Sequence, residues 1–206
     1  MAEYVIGGGE REAWEALEKL DSGAVARCAQ ARFDPEAKSF RLSCLGQEIE
    51  VRLGERRLRS PSTAGRRLLE DYRDYSRLSI LRYLLHAPGS ELTGEQMKPS
   101  EMPGGDFFTQ GTHVLPAGSL AKRFDHSGME LLERAQGLGG RPLEFGDVSV
   151  EVPVFPKFPL AIVIWFSDEE FPSAEGSVLL DALWREAMPV DIVWSSAMLG
   201  LCMLHP

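Results

Sequence analysis

Apolar residues recur every three or four positions in several stretches of the chain, and this spacing is typical of amphipathic helices. The first such stretch begins with Ala13, Trp14 and Leu17. Glycine or proline follows several of these stretches, as expected of residues that end helices. The predicted helices cover residues 10–30 with a break at Ser22 and Gly23, then 64–86, 120–124, 129–138 and 189–204.

Other stretches alternate apolar and polar residues, which is typical of half-buried β-strands. Phe40, Leu42 and Cys44 alternate in this way, so residues 33–53 are predicted to form a hairpin of two antiparallel strands. A second hairpin is predicted over residues 143–152, because a Gly-Asp turn separates two runs of apolar residues.

The most apolar run of the chain, Leu160 to Phe166, predicts a central strand that is buried on both faces. A short strand is predicted at residues 177–181. Helices and strands do not alternate regularly, which disfavours a doubly wound parallel sheet. We therefore expect a single α+β domain over residues 1–206, with a mixed, largely antiparallel sheet, packed helices and a flexible end at residues 1–9.

The composition excludes several classes of function. A chain of 206 residues with 44% hydrophobic residues suits one globular domain. The net charge of −9 disfavours nucleic acid as a partner, because phosphate backbones attract basic proteins. Residues 1–10 do not resemble a signal peptide, and the apolar run 190–204 is too short to cross a bilayer, so we expect no membrane partner.

The cysteines bear on location and cofactors. Cys28, Cys44 and Cys202 lie far apart, and no Cys-x-x-Cys pair occurs. This pattern predicts neither a disulfide framework nor an iron–sulfur cluster built from this chain alone. It favours a reducing compartment, and we expect a cytoplasmic protein.

Charge is distributed unevenly along the chain. Residues 52–82 contain nine arginines and four acidic residues, whereas ten acidic residues and two basic ones lie between Leu143 and the end. One interpretation is that these two parts form ion pairs with each other across the fold. The alternative is that the Arg-rich segment, residues 52–82, is a scaffold surface that docks an anionic ligand or protein.

Three consecutive carboxylates, Asp168, Glu169 and Glu170, directly follow the predicted central strand. Divalent cations such as Mg²⁺ and Ca²⁺ bind clustered carboxylate oxygens, and Asp181 on the next predicted strand could add a ligand. The sequence therefore includes a candidate metal site, and one alternative function is a divalent-metal-dependent enzyme. The other interpretation is a solvated strand end or a helix N-terminus, where negative charge is favourable.

A long segment rich in glycine and proline, residues 92–111, is the second candidate site. Paired glycines permit positive φ angles, so backbone N–H groups can converge on an anion, although plain turns use the same residues. His113 is a candidate for proton transfer or axial ligation, or an ordinary surface histidine. The ligand-binding candidates are Thr93, Gly94, Glu95, Pro103, Gly104, Gly105, His113 and Trp165.

Signatures of nucleophilic catalysis are incomplete. Asp125, His126 and Ser127 have the residue types of a catalytic triad, but adjacent residues cannot present the required chain of hydrogen bonds. The sequence contains no Gly-x-Ser-x-Gly elbow and no P-loop. The catalytic residues, if any, are not identified by these patterns.

An ordered series of motifs resembles a prokaryotic family known as domain of unknown function number 3786. The similarity extends from about Trp14 to Leu204. It implies an anaerobe-associated cytoplasmic protein, and some members carry an additional four-cysteine iron–sulfur domain like that of corrinoid proteins, which this chain lacks. The motifs are Leu92-Thr93-Gly94-Glu95, Glu101-Met102-Pro103-Gly104-Gly105, Leu138-Gly139-Gly140, Phe155 to Leu160, Trp165 to Pro172 and Leu179-Leu180-Asp181.

Together these features favour a ligand-binding or partner-binding protein. The resemblance implies an accessory factor in anaerobic cofactor or redox metabolism, related to corrinoid or iron–sulfur chemistry through a partner. The partner is a small molecule or another protein, and the residues do not define an oligomeric state. We expect the loop from Thr93 to Gly111 and the acidic segment from Asp168 to Pro172 to lie together and form the main pocket.

Overall fold

A computed structural model describes residues 8–205, which form seven α-helices and nine β-strands, and the predicted α+β class is confirmed. The helices are α1 (Gly8–Leu17), α2 (Ser22–Cys28), α3 (Thr63–Glu70), α4 (Arg73–His86), α5 (Ala117–Arg123), α6 (Gly128–Gly137) and α7 (Val190–Leu204). The strands are β1 (Arg32–Asp34), β2 (Ser39–Cys44), β3 (Gln47–Arg52), β4 (Arg57–Arg59), β5 (Gln96–Met97), β6 (Arg141–Leu143), β7 (Val148–Phe155), β8 (Phe158–Trp165) and β9 (Glu175–Asp181).

The strands form two antiparallel sheets in place of the single mixed sheet expected from the sequence. The first sheet has the order β1-β2-β3-β4, and the second has the order β5-β9-β8-β7-β6. Both predicted hairpins are present, as β2 with β3 and as β6 with β7. The prediction that residues 160–166 form a central strand is confirmed, because β8 lies in the middle of the second sheet.

Two predicted features differ at the N-terminal end of the chain. The break in the first helical stretch lies before Ser22, because the Asp21 side chain accepts a hydrogen bond from Ala24 N at 2.6 Å and caps the start of α2. The expected flexible end falls mostly on residues 1–7, which lie outside the described residues, whereas Gly8 and Gly9 are the first residues of α1.

The turn between β2 and β3 joins the two sheets. Leu45 and Gly46 both have positive φ angles, 48° and 73°, as a two-residue hairpin turn requires. Leu45 is fully buried, and its N–H group lies 3.2 Å from the carbonyl oxygens of Pro153 and Val154 on β7. A Cβ atom on Gly46 would lie 3.2 Å from the carbonyl group of Leu138. Glycine is needed here for its conformation and for this close approach.

A hydrogen-bonded group of large side chains connects the helices to the second sheet. The Tyr83 hydroxyl donates to Ala29 O at 3.0 Å and accepts from Lys157 N at 3.1 Å. Trp184 Nε1 donates to Lys157 O at 2.6 Å, and the Tyr83 ring stacks on Phe155 with centroids 4.6 Å apart. These side chains are fully buried, so their polar atoms depend on one another for hydrogen bonding.

Helices α5, α6 and α7 all pack on the same face of the second sheet. Gly200 of α7 lies against Leu160, and Gly128 of α6 lies against Val148. Gly176 of β9 lies against Ala117 of α5 and pairs with Ile164, which points to the same side. The opposite side, which we call the open face, carries Ser149, Glu151, Ala161, Val163, Trp165, Ser177 and Leu179.

The prediction that β8 is buried on both faces is confirmed for residues 160–164. Ala161 and Val163 are 1% and 2% exposed, but they lie outside the main core cluster. Trp165, at the end of β8, is 45% exposed.

Within the part of the chain that the structure describes, the Arg-rich segment forms its ion pairs locally or with α1, and not with the acidic C-terminal part as one interpretation expected. Among residues 8–205, the partners in these ion pairs all lie before residue 75. The pairs are Arg52 with Glu50 and Glu55, Arg56 with Glu15 and Glu18, Arg59 with Glu55, Arg67 with Asp71, Arg73 with Asp74, Arg77 with Glu10 and Arg82 with Glu12. The Arg77–Glu10 pair is nearly buried, with side chains 10% and 14% exposed. Within residues 8–205, no helix is long and apolar enough to cross a membrane.

The buried pair between α1 and α4 leads to a stability prediction. Replacing Arg77 with Gln would leave Glu10 buried without its cation, because Arg77 Nη2 donates to Glu10 Oε2 at 3.0 Å. We expect a loss of about 3 kcal/mol in the free energy of unfolding, which is roughly 6–12 °C in Tm for a chain of this size. Thermal unfolding measured by circular dichroism tests this.

Arg67→Gln is the matched control, since the Arg67–Asp71 pair is exposed (70% and 54%) and should change Tm little. Equal changes in Tm for the two variants would contradict a stabilising role of the buried Arg77–Glu10 pair.

Candidate functional site

The main candidate site is a groove on the open face of the second sheet, with a volume of about 700 Å³. Its floor is formed by β8 and β9. Loops before β7 and after β8 enclose the end where β8 ends, and Lys98, which follows β5, lines the groove on the side of the β9 edge. The volume lies in the range of small-molecule sites. The lining residues are Lys98, Asp147, Val163, Trp165, Phe166, Asp168, Phe171, Ser173, Glu175, Gly176, Ser177 and Leu179.

The acidic segment after β8 forms a tight turn. Asp168 Oδ1 accepts hydrogen bonds from Glu170 N at 2.9 Å and from Phe171 N at 2.6 Å, and Asp168 N donates to Phe171 O at 2.9 Å. This local pattern is typical of aspartate in turns. It places Asp168 and Phe171 in the groove, while Glu169 and Glu170 are exposed and do not line it.

Two aromatic side chains stand exposed in the groove. Trp165 is 45% exposed and Phe171 is 58% exposed. Trp14 and Trp184, by contrast, are fully buried in the core. Core packing, the ordinary role of tryptophan, therefore does not explain Trp165, and this candidate from the sequence is a groove residue.

The charged groups of the groove are arranged with carboxylates at one end and a lysine along one wall. Asp147 Oδ2 accepts from Phe166 N at 2.7 Å, which fixes its position beside the end of β8. Asp147, Asp168 and Glu175 form no ion pair with any described residue, and neither does Lys98. The acidic end of the groove therefore carries three carboxylates without a cationic partner among residues 8–205.

The first glycine-containing motif of the loop binds an anion that belongs to the chain itself. Thr93 N and Thr93 Oγ1 donate to Asp181 Oδ1 at 3.0 and 2.8 Å, and Gly94 N donates to Asp181 Oδ2 at 2.8 Å. Gly94 has the predicted positive φ angle, 75°. Leu183 N also donates to Asp181 Oδ1, at 2.9 Å. Thr93, Gly94 and Asp181 thus form a structural clamp, which we call the Asp181 clamp.

The hydrogen bonds of the clamp determine the protonation of Asp181. The side chain is 2% exposed, and burial alone would raise the pKa of this carboxyl. The hydrogen bonds from Leu183, Thr93 and Gly94 outweigh burial and lower the pKa below its ordinary value of 3.8. Asp181 is therefore a charged group whose oxygens are already occupied by the backbone.

The predicted metal site is not assembled by the sheet register. Leu160 pairs with Leu180, whereas Trp165 pairs with Glu175, so Asp181 and the acidic turn lie at opposite ends of β9. Among the described residues, no group of three or more His, Cys, Asp or Glu side chains is positioned to hold a metal ion. The prediction that Asp181 joins Asp168, Glu169 or Glu170 in one cation site is therefore wrong.

The second glycine motif and the histidine lie away from the groove. Gly104 has a φ angle of 77° and lies near Val190 at the start of α7, and Gly105 packs closely on the backbone of Ser100. His113 stacks on Phe107 with ring centroids 3.9 Å apart and contacts Trp194 edge-on at 5.2 Å. Pro103, Gly104, Gly105 and His113 thus do not line the groove, and neither does Glu95.

The expected pocket between the long loop and the acidic segment is formed by a different residue of the loop. Lys98 lines the groove together with Asp168 and Phe171. A smaller cavity of about 170 Å³ lies next to it, on the side of α5. This cavity is lined by Lys98, Pro99, Ser100, Phe108, Thr109, Val114, Leu115, Ala117, Gly176, Ser177 and Val178.

Ser167, and not Ser127, lies beside Asp125 and His126. Ser167 Oγ donates to Asp125 Oδ2 at 2.6 Å and lies 3.5 Å from His126 Nε2. The same His126 nitrogen lies 3.7 Å from Asp125 Oδ1. A catalytic relay needs the two imidazole nitrogens to face different partners, so this cluster does not activate Ser167 as a nucleophile. The hydrogen bonds from Ser167 lower the pKa of Asp125.

The family model of a domain of unknown function, DUF3786, matches residues 21–202. The chain belongs to the DUF3786 family. No curated protein and no solved structure matches the chain. In this DUF3786 domain, the motif from Leu92 to Glu95 and the motif from Leu179 to Asp181 together form the Asp181 clamp, and the motif from Trp165 to Pro172 forms one end of the groove.

Several groove residues of the DUF3786 domain are not among the ligand-binding or metal candidates from the sequence: Lys98, Asp147, Glu175, Ser177 and Leu179. A partial signal exists on β9, where Ser177 and Leu179 alternate with the buried Val178 and Leu180. Lys98 and Asp147 lie outside the long strands, and only the tertiary structure brings both of them to the groove.

The Asp181 clamp leads to a second stability prediction. Asp181→Asn removes the charge that accepts four hydrogen bonds and places an amide donor against a backbone N–H group. We expect a loss of about 2 kcal/mol in the free energy of unfolding at pH 7. Because the folded-state pKa is lowered, the charge contributes stability above pH 3.8, and that contribution is lost as pH falls through the folded-state pKa.

Chemical denaturation of wild type and Asp181→Asn between pH 3 and 7 measures this difference. Glu169→Gln makes the same charge change at an exposed position and serves as the control. A stability difference between wild type and Asp181→Asn that stays constant down to pH 3 would exclude the charged clamp.

Proposed function

We propose that this protein is a binding protein whose groove on the open face takes the cationic group of a ligand or partner. The observation that carries this proposal is the juxtaposition of two exposed aromatic rings with three carboxylates that have no cationic partner in the described chain. Trp165 and Phe171 supply the rings, and Asp147, Asp168 and Glu175 supply the charge.

Physical chemistry connects this arrangement to cationic ligands. The face of an aromatic ring attracts a cation, most strongly for tryptophan, and the attraction grows as water is displaced. Carboxylates beside the ring add a longer-range attraction that is screened by salt. The apolar side chains of Val163 and Leu179 form part of the floor, which suits a ligand with an apolar body. Lys98 on the wall would face an acidic or carbonyl group of the same ligand.

Binding is better supported than catalysis. The residues of the groove include no nucleophile with an adjacent base, and the Ser167 cluster lacks the relay geometry. The alternative of an Arg-rich docking scaffold is weakened because most of the arginines of residues 52–82 already form ion pairs within the segment, with β3 or with α1. The acidic groove, in contrast, has charge that the described chain does not neutralise.

The biological setting in this proposal comes from the resemblance to the family. An accessory role in anaerobic cofactor or redox metabolism, in the cytoplasm, is compatible with a groove that binds a ligand without transforming it. A partner protein would supply any iron–sulfur or corrinoid chemistry in that setting, because the three cysteines of the chain are far apart in sequence and include no Cys-x-x-Cys pair.

The proposal predicts a charge preference among ligands that share one apolar body. We expect the cation 2-phenylethylammonium to shift the NMR signal of the Trp165 indole N–H group at millimolar concentration. Neutral 2-phenylethanol should bind more weakly, and the anion 3-phenylpropionate more weakly still. Glu175→Gln should weaken binding of the cation by roughly two- to fivefold, as expected for one partly exposed charge.

Glu169→Gln is the matched control, because it removes one neighbouring charge from a residue that does not line the groove. Trp165→Ala removes the indole signal, so binding to this variant is followed at the backbone amide of Gly176, and the cation should bind more weakly because the ring is lost. Equal affinity for the cation and the anion, or no binding of any of the three probes, would refute the proposed function.

A further inference from the structure

Strand β9 has an edge that is only partly used by the fold. On one side β9 pairs with β8 along its whole length, from Glu175 to Asp181. On the other side it pairs with β5 only at Leu180 and Asp181. Beyond Met97 the chain leaves this edge, because Pro99 has no N–H group to continue the ladder and begins a 3₁₀ turn.

The unused part of the edge presents backbone hydrogen-bonding groups. Ala182 N donates to Glu95 O on the β5 side. Along an antiparallel strand the N–H and C=O groups of alternate residues point to the same side, so those of Val178 and Gly176 also point away from β8. No other described group forms a backbone or side-chain hydrogen bond with them on that side. Such an edge is a template for another strand.

Two cavities lie on the two sides of this edge. The groove of about 700 Å³ lies on the open face, where Ser177 and Leu179 point. The smaller cavity of about 170 Å³ lies on the helix side, where Val178 points and where Phe108 and Ala117 line it. Lys98, Gly176 and Ser177 line both cavities. The edge therefore runs between two spaces that differ in size and polarity.

We infer that the occupant of this site is an extended polypeptide segment of a partner protein, which adds to β9 as a strand. Successive side chains of an added strand point to opposite faces, so alternate side chains would enter the groove and the smaller cavity. This inference rests on the proposed function, because the side chains that enter the groove meet its carboxylates and aromatic rings.

The chemistry of the two cavities defines the preferred segment. Side chains that enter the groove near Asp168 and Glu175 are basic, since these carboxylates have no cationic partner in the described chain. Side chains that enter the smaller cavity are small and apolar, such as Val, because its lining includes Val114, Leu115 and Val178. The free edge from Glu175 to Leu179 is about 13 Å long, which accommodates a segment of four or five residues.

Synthetic peptides of alternating sequence test this inference. The probe is acetyl-Val-Arg-Val-Arg-Val-amide, and the acidic counterpart has Glu in place of Arg. With the basic peptide at saturation, we expect hydrogen exchange at the backbone amides of Gly176 and Val178 to slow by at least tenfold, as measured by NMR. The acidic peptide should bind at least tenfold more weakly, because it would add negative charge to an acidic groove.

Backbone N-methylation provides matched controls that leave the protein unchanged. One peptide is methylated at the first, third and fifth residues and another at the second and fourth. Only the N–H groups of alternate residues of an added strand face β9. The peptide methylated at those residues should bind at least tenfold more weakly than the unmethylated peptide, and the other methylated peptide should bind more tightly than the first.

The outcomes separate this inference from the proposed function. If the two methylated peptides bind equally, or if Gly176 and Val178 stay unprotected, strand addition is refuted while binding of a cation in the groove still stands. If protection is seen but phenylethylammonium does not bind, strand addition stands and the cation preference of the groove is refuted. No binding of the basic peptide also overturns strand addition.

Discussion

The candidate site depends on the hydrogen bonds that the Asp181 carboxylate accepts. The carboxylate holds Thr93 and Gly94 by three hydrogen bonds, and the same oxygens accept Leu183 N, where the chain leaves β9. These contacts attach the start of the long loop to the sheet and so place β5 beside β9. The position of Lys98, one residue after β5, follows from this attachment. A buried charge serves this purpose because the backbone groups around it have no other partner, and leaving them unpaired would be costly.

The two sheets contribute differently to the molecule. The first sheet covers part of the core and carries arginines and glutamates that neutralise each other on its exposed side, such as Arg32 with Glu48 and Arg52 with Glu50. The second sheet has helices on one face and leaves carboxylates such as Glu175 without a cation on the other. Three carboxylates without a cationic partner among residues 8–205 thus lie where the groove, an aromatic pair and a partly unused strand edge meet.

Much of the fold could be predicted from the sequence, and the errors have physical causes. The hairpins follow from alternation around Leu45-Gly46 and Gly146-Asp147. Strand β8 is predictable because it contains the most apolar run of the chain. Its two faces could not be distinguished, because apolar residues such as Ile162 and Val163 occupy both. The two-residue strand β5 has no periodic signal. At the site, the sequence indicates Trp165 and the acidic segment. It does not indicate that Asp181 binds Thr93 and Gly94, because this depends on the direction and pairing of β9, which place Asp181 far from the acidic segment.

The strand order has a consequence for how the molecule assembles. Every strand pair of the described chain joins neighbours in sequence except β5 with β9, where Gln96 pairs with Asp181. Contacts between distant residues carry a larger entropic cost of loop closure and form late. The meander from β6 to β9 can therefore form early, with the whole outer edge of β9 unpaired until β5 arrives. During that interval the nascent chain would be vulnerable to aggregation through this edge, and rapid folding or a chaperone would protect it.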